Sequence, residues 1–562
     1  MSGPRAAGHP VLAQGRPPGA PSVPGSAWRR AAAALAACVV AGLVGCAHTL
    51  PPMPERNASS VLTAGADSPL AQAATPPAGD AGRSGAALLR DPLQALATRV
   101  SLVRTARRSV DVQVYIWQPD ASGRLLMQEL WQAAARGVRV RLLVDDNGID
   151  GMDPWLQALA TQRGVEVRLY NPFVQRRFKT LGYLTDFERL NRRMHNKSFT
   201  ADGLATIVGG RNIGDVYYGV DASVQFADLD VLALGPAAQD TARHFDGFWN
   251  SALAYPLQAL LGPADPAALE ARRAELANPA SVPEVAALRS LLQQTPWLAA
   301  AGLPALQWVP VQVLSDIPGK GPAPSAATGP GPGAPAATAA AASAEGAPGA
   351  RITEPLLAVL SAARTSLDLV SPYFVPGDAG VRRLVELARG GVKVRIVTNS
   401  LAATDVVAAH PGYARHRQAL LAAGVELFEL KPDAAARAAT RRPVRMMQLA
   451  FSSSASLHGK VFLVDGRRLF AGSFNLDPRS ANVNTEMGLL IDSPELTATL
   501  ASDIERDLPT ATYRLVLAAD GTLQWLESGA GGPVVHTGEP HAGLLRRMAA
   551  RVLSWLPIEG LL

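Results

Sequence analysis

The sequence predicts an α/β chain built from two tandem copies of one unit, and three observations carry that expectation. Runs of β-branched and aliphatic residues alternate with helix-like stretches, which is how a sheet covered by helices reads. The order of these segments recurs, at offsets between 254 (Gly137 to Gly391) and 263 (His195 to His458). A His-x-Lys-x4-Asp motif then occupies the same place in each copy.

In the first copy, ARRSVDVQVYIW (106 to 117) is a strand, followed by a helical stretch that runs into the strand RGVRVRLLVDD (136 to 146). The second copy answers with ARTSLDLVSPYF (363 to 374) and RGGVKVRIVTNS (389 to 400). GVEVRLY (164 to 170) and GVELFEL (424 to 430) close the comparison. Self-similarity of this kind marks duplication of a supersecondary unit.

Composition bounds what surrounds the two copies. With 562 residues, 48% hydrophobic and 18% charged, the chain has enough apolar sequence for several cores and too little charge for a disordered polyelectrolyte. A formal charge of +6 favours anionic partners, although the same excess spread over this length serves equally as solvated surface.

Only two cysteines occur, Cys38 and Cys46, so disulfides and thiolate metal sites are excluded from everything downstream. Ala31 to Gly45 is an apolar run preceded by Arg29 and Arg30, shorter than the ~20 residues that span a bilayer. It reads as the core of a secretory signal. Its end, Leu43-Val44-Gly45-Cys46, resembles a bacterial lipobox, implying cleavage before Cys46 and acylation of its thiol; an uncleaved anchor is the alternative. A periplasm-facing lipoprotein follows. Outer-membrane placement is preferred, because Ala47 and His48 supply no Asp of the inner-membrane type.

The expected organisation is therefore a signal over 1 to 46, a flexible Pro/Ala/Gly tether over 47 to 86 and a first unit over 87 to 317. A disordered linker over 318 to 350 then precedes a second unit over 351 to 562.

The motifs carry the chemistry. RRMHNKSFTADGLATIVGGRNIGD presents His195, Lys197 and Asp202, then Gly209, Gly210 and Asn212. SLHGKVFLVDGRRLFAGSFNLDPRS presents His458, Lys460 and Asp465, then Gly472, Ser473 and Asn475 at identical spacing. On a strand, residues i and i+2 share a face, so each His and Lys can enter one cavity. Near neutrality an imidazole serves as nucleophile or proton donor. The ammonium groups offset phosphate charge, while the asparagine amides and the small Gly210 and Ser473 allow donors close approach. No metal or other cofactor is needed for such chemistry.

These motifs resemble the phospholipase D superfamily, the HKD family. The flanks LNRRMHNKSFTAD, VGGRNIGD, FADLDVLALGP, SPYFVPG, LHGKVFLVDG and GSFNLDPRSANVNTEMGLLID are similar to its bacterial cardiolipin synthase branch, over roughly residues 88 to 562. The resemblance implies two α/β sandwich units related by a pseudo-twofold, with one shared active site and a phosphohistidine intermediate. Residue by residue, it makes His195 the nucleophile and His458 the acid, with the order open. Lys197, Lys460, Asn212, Asn475, Ser473 and Gly210 would hold phosphate. Asp202 and Asp465 complete the catalytic motifs, more as supports than as proton carriers. Glu486 and Asp228 would fix the histidine tautomers, with Asp230 as an alternative to Asp228.

The implied substrates are phospholipids, phosphatidylglycerol and also phosphatidylethanolamine, met at a membrane surface. Phosphatidyl transfer of cardiolipin synthase type is the leading reading, hydrolysis to phosphatidic acid the alternative. A nuclease and an inactive lipid-binding lipoprotein rank below, and no nucleic acid partner is expected. LLRRMAARVLSWLPIEGLL (544 to 562) reads either as an interfacial helix or as one packed on the body. The basic cluster Arg176, Arg177, Lys179, Arg189, Arg192 and Arg193 reads as a headgroup attractor or as a solvated loop.

Overall fold

A computed structural model of the chain describes residues 50–176, 178–220, 224–296, 303–320, 351–432, 454–529 and 532–556. The signal, Cys46, Arg177, nearly all of the linker and the last six residues lie outside them.

Two large sheets are formed. The first runs, in spatial order, through strands 307–309, 84–89, 230–234, 205–209, 198–201, 109–116, 139–148, 165–170 and 254–256. The second runs through 311–315, 487–492, 468–472, 460–464, 366–370, 393–399, 426–430, 512–517, 523–529 and 532–536. From 230–234 to 254–256 and from 487–492 to 512–517 the two orders correspond strand for strand, so the duplication extends to topology. In each sheet three neighbouring strands (109–116, 139–148 and 165–170; 366–370, 393–399 and 426–430) are parallel, linked by helices such as Ala121–Ala135 and Gly377–Arg389.

The sheets face each other. Ala86, Val208, Val231 and Ala233 of the first pack with Val461, Leu463, Leu469, Leu489 and Ile491 of the second in one buried cluster. Each sheet packs helices on its outer face, where further clusters form. Full burial of such a side chain contributes about 1.5–3 kcal/mol, so the halves are one folded body. The short parallel pair 224–227 with 454–457 joins them again, beside the second motif.

Two expectations about organisation are corrected. Residues 50–86 are not a flexible tether. The guanidinium of Arg56 donates to the carbonyls of Trp249, Asn250, Ser251 and Ala254, at the end of the helix Pro236–Asn250, satisfying carbonyls a helix leaves open. Arg141 reaches Ser59 O, and Ser84–Leu89 is a strand of the first sheet. Nor do the units divide at 318 to 350. Val311–Ser315 pairs antiparallel with Met487–Asp492, as Ser84–Leu89 pairs with Asp230–Leu234. The second unit thus begins with its own counterpart of that strand, and the Pro/Gly/Ala segment is an insertion after it.

The motif aspartates explain the hairpins that follow each histidine. Asp202 and Asp465 adopt φ of 54° and 55°, each followed by a left-handed glycine. The Asp202 carboxylate accepts from the backbone N–H of Arg107, Arg108 and Ser109 at 2.7–2.9 Å. Asp465 likewise serves Arg364, Thr365 and Ser366. Each pins its hairpin to the start of the neighbouring strand, at the far end from its histidine. Although they complete the motifs, they take no part in the chemistry: they are clamps. Asp202→Ala should cost about 1–3 kcal/mol in urea unfolding, as expected for buried donors left unpaired, while kcat stays close to that of the parent. The more exposed Asp465 should cost less.

Candidate active site

Both histidines lie just ahead of their motif strands, Ser198–Ala201 and Lys460–Val464, at the seam between the halves, held by the backbone of the opposite half. His195 N–H donates to Thr485 O and His458 N–H to Ala227 O, at 2.9 and 2.8 Å. Asp145, at the end of a parallel strand, accepts from Met194 N–H at 2.8 Å and pairs with the buried Arg193 at 3.0 Å. The first motif is fixed before its side chains are considered.

The carboxylates then cross over. His195 Nδ1 lies 2.8 Å from Glu486 Oε2, and His458 Nδ1 lies 2.6 Å from Asp228 Oδ2. Each imidazole is thus oriented by an acid from the other half, leaving Nε2 to react. Asp230 is not the alternative: its carboxylate is taken by Arg99 at 2.9 Å and Arg211 at 3.4 Å. Tyr115 packs edge-on to His195 with centroids 5.1 Å apart, and Tyr217 to His458 at 5.3 Å. Both histidines are nearly buried, 8% and 6% exposed.

The phosphate-binding expectations divide. Lys197 Nζ is 2.7 Å from His195 O, and Lys460 Nζ is 2.5 Å from His458 O. Each ammonium has three donors, so both keep capacity for an anion. Asn475 Oδ1 is buried without a partner among the described residues, and as an acceptor it offers nothing to a phosphate oxygen. Asn212 is partly committed, its Oδ1 accepting from Ile116 N–H and its Nδ2 donating to Tyr217 Oη.

Gly210 and Ser473 are corrected. A Cβ on Gly210 would sit 2.1 Å from Asp228 Oδ1, and its N–H is spent on Leu229 O; the glycine makes room for the carboxylate. At the equivalent position Ser473 donates to Glu486 Oε2 at 2.5 Å. Both therefore serve the acids rather than the phosphate.

Electrostatics separate the two sides. Burial, then the charges of Lys197 and Lys460, push His195 well below the usual imidazole range. Burial and Lys460 also lower His458. Burial opposes the ionised form of Asp228, but His458, Lys460 and Arg211 outweigh it and hold the carboxyl at about 2. At Glu486 burial prevails over Lys197 and two serine hydroxyls, raising it to about 7. Burial drops Lys197 to about 7. The neutral form of both imidazoles is thus favoured, and the sides differ in their acids, with a firmly ionised carboxylate behind His458 and a raised carboxyl behind His195.

Several supports escaped the sequence reading. Asp316 accepts from Glu486 N–H and pairs with the buried Lys320 at 2.7 Å, and Ser480 donates to Glu486. None of the three belongs to a motif, since Asp316 and Lys320 follow the strand Val311–Ser315 and Ser480 sits on the short helix Pro478–Asn482, so local pattern offers no signal for such roles. Of the basic cluster read as a headgroup attractor or a solvated loop, the described members are paired with acids: Arg176 and Lys179 with Asp146, Arg189 with Asp186, Arg192 with Glu188 and Arg193 with Asp145.

Two crossed carboxylate-histidine pairs with paired lysines, on a duplicated α/β sandwich, define an enzyme of the phospholipase D superfamily. A family described as "Cardiolipin synthase, PLD-like domain" matches residues 100–249 and 356–508, and the chain belongs to it. It is 41% identical over 489 residues to cardiolipin synthase C of Escherichia coli K12, covering 86% of this chain and 97% of that one. An uncharacterized protein of Helicobacter pylori J99 is 31% identical over 442 residues, 77% and 81% of the two chains. The crystal structure of phosphatidylserine synthase from Haemophilus influenzae aligns with a TM-score of 0.52 at 15% identity, covering 86% and 98%. That last likeness concerns the fold.

Proposed function

We propose that this protein is a phosphatidyltransferase of cardiolipin synthase type that works through a phosphohistidine. The observation that carries the reading is the crossed pairing of His195 with Glu486 and His458 with Asp228. His195 Nε2 attacks the phosphorus of one phosphatidylglycerol while His458 gives its proton to the departing glycerol oxygen. His458 then takes the proton of an incoming hydroxyl, which displaces His195 from phosphorus. With a second phosphatidylglycerol as acceptor the products are cardiolipin and glycerol; with phosphatidylethanolamine as donor they are cardiolipin and ethanolamine. One phosphodiester replaces another, so no nucleotide is consumed.

The roles follow the two carboxylates: the acid is taken as the histidine backed by the firmly ionised Asp228, and the nucleophile as the one paired with Glu486, whose carboxyl burial has raised. Purified protein incubated with phosphatidylglycerol, with and without phosphatidylethanolamine, should give cardiolipin by mass spectrometry. Phosphatidic acid alone would replace transfer by hydrolysis.

Among the described residues no helix is long and apolar enough to cross a membrane. Anchoring is assigned to an acylated Cys46 on the envelope side of a bacterial membrane, the outer one preferred. Cells fed radiolabelled palmitate should label the protein, and Cys46→Ser should lose the label; a labelled Cys46→Ser would end that assignment.

A further inference from the structure

Two elements beside the site expose apolar side chains that the fold leaves uncovered. The first is the C-terminal helix Leu544–Leu553 and the turn after it, none of whose residues is buried. At 100° per residue, Leu544, Leu545, Met548, Val552, Trp555 and Leu556 fall on one arc about 120° wide. Their exposures run from 49% to 82%. The face on the body is instead Arg546, Ala550 and Leu553. Arg547 and Arg551 border the apolar arc, and no ion pair to either is found among the described residues. A solvated helix ordinarily shows the reverse arrangement; apolar residues outward with basic ones at the border are the pattern of a helix lying in a bilayer interface.

The second element is the short helical pair Lys179–Thr185 and Phe187–Leu190, just ahead of the first motif. Phe178, Leu181, Leu184 and Phe187 are 57%, 50%, 73% and 49% exposed.

Both reach the reacting groups through short chains of contact. Tyr183 Oη donates to Asn147, Asn147 donates to Tyr115 Oη, and the Tyr115 ring lies against His195. On the other side Arg546 donates to Thr404 O, and the neighbouring Asp405 accepts from Tyr373 Oη and acts electrostatically on Lys460. Thr404 and Asp405 follow the strand Lys393–Asn399 as Asn147 closes the strand Arg139–Gly148, so the two elements flank the site on opposite halves. Carboxyl ends of parallel strands are where α/β sheets hold their ligands.

We infer that these two elements are a membrane-docking rim: they insert their apolar side chains at the headgroup level of an anionic bilayer, with Arg547 and Arg551 against lipid phosphates, and so set the shared site on its lipid substrate. This rests on the lipid reading above, but its exchange measurement does not require turnover. Apolar insertion explains binding better than charge alone here, because Arg176, Lys179, Arg189 and Arg192, the cations described near the second element, are already paired with acids.

Full-length protein is incubated with vesicles of phosphatidylglycerol and phosphatidylcholine, or of phosphatidylcholine alone, and followed by hydrogen–deuterium exchange. Peptides over 178–190 and 544–556 should exchange at least three-fold more slowly with the anionic vesicles, whatever holds the N-terminus. In a Met548→Asp/Trp555→Asp variant, and separately in Leu184→Asp, turnover on vesicles should fall ten-fold or more while turnover of a monomeric short-chain phosphatidylglycerol stays within two-fold. Unchanged exchange in both peptides on vesicles that do capture the protein would overturn the inference, as would variants that lose soluble-substrate turnover as fully as vesicle turnover. Protection without any lipid product would leave the rim standing and remove the transferase assignment.

Discussion

Replacing either catalytic histidine by alanine should abolish turnover of phosphatidylglycerol, with circular dichroism unchanged. His195→Ala removes the atom that bonds phosphorus, and losses of at least about 10⁴-fold are usual when a nucleophile is deleted. His458→Ala removes the proton donor, which contributes on the order of 10²–10⁴-fold. The two losses are distinguishable. A phosphodiester with a nitrophenolate leaving group needs no proton to depart, so His458→Ala should release a burst of nitrophenolate and stall as phosphoenzyme, visible as a mass increase on His195. His195→Ala should show neither burst nor adduct. Exchanged behaviour would reverse the roles, and near-parent lipid turnover in either variant would end the shared-site mechanism.

Asp228→Asn should be the most damaging change outside the motifs, by roughly 10²–10⁴-fold in kcat, as for other carboxylates that fix a catalytic tautomer. Asp228 is held ionised at about 2 and accepts from His458 Nδ1 at 2.6 Å. An amide there can present a hydrogen to Nδ1, which moves the imidazole proton to Nε2. Glu486→Gln should cost less, about ten-fold, because burial has raised that carboxyl to about 7 and its charge is only partly present at neutral pH. Comparison of kcat for the two variants at pH 7 checks the asymmetry. Equal losses would mean that both acids act alike.

The duplication and both motifs were legible from local pattern, because strand periodicity and the spacing of His, Lys and Asp are properties of neighbouring residues. The supports were not. Asp316 and Lys320 lie 170 and 166 residues from Glu486 in sequence, yet they fix its backbone and the serine beside it. The first strand of the second unit, Val311–Ser315, reads from sequence as the end of the first unit, since five residues ahead of a Pro/Gly/Ala insertion carry no sign of which sheet will accept them. Residues 50–86 read as a tether because they hold few large apolar groups. What fixes them is in part an arginine on helix carbonyls, and hydropathy does not register hydrogen bonds to main chain.

By itself, then, the sequence determined that two equivalent His-x-Lys pairs exist; the structure sets His195, Lys197 and His458 just ahead of the strands Ser198–Ala201 and Lys460–Val464 rather than within them. Only the tertiary structure decided that Asp228 serves His458 and Glu486 serves His195, that Asp230 belongs to arginines, and that Gly210 and Ser473 serve carboxylates. The reason is that packing two sheets face to face brings residues some 230 to 290 positions apart within hydrogen-bond distance. Which acid meets which imidazole depends on how the sheets abut, and no local pattern encodes that.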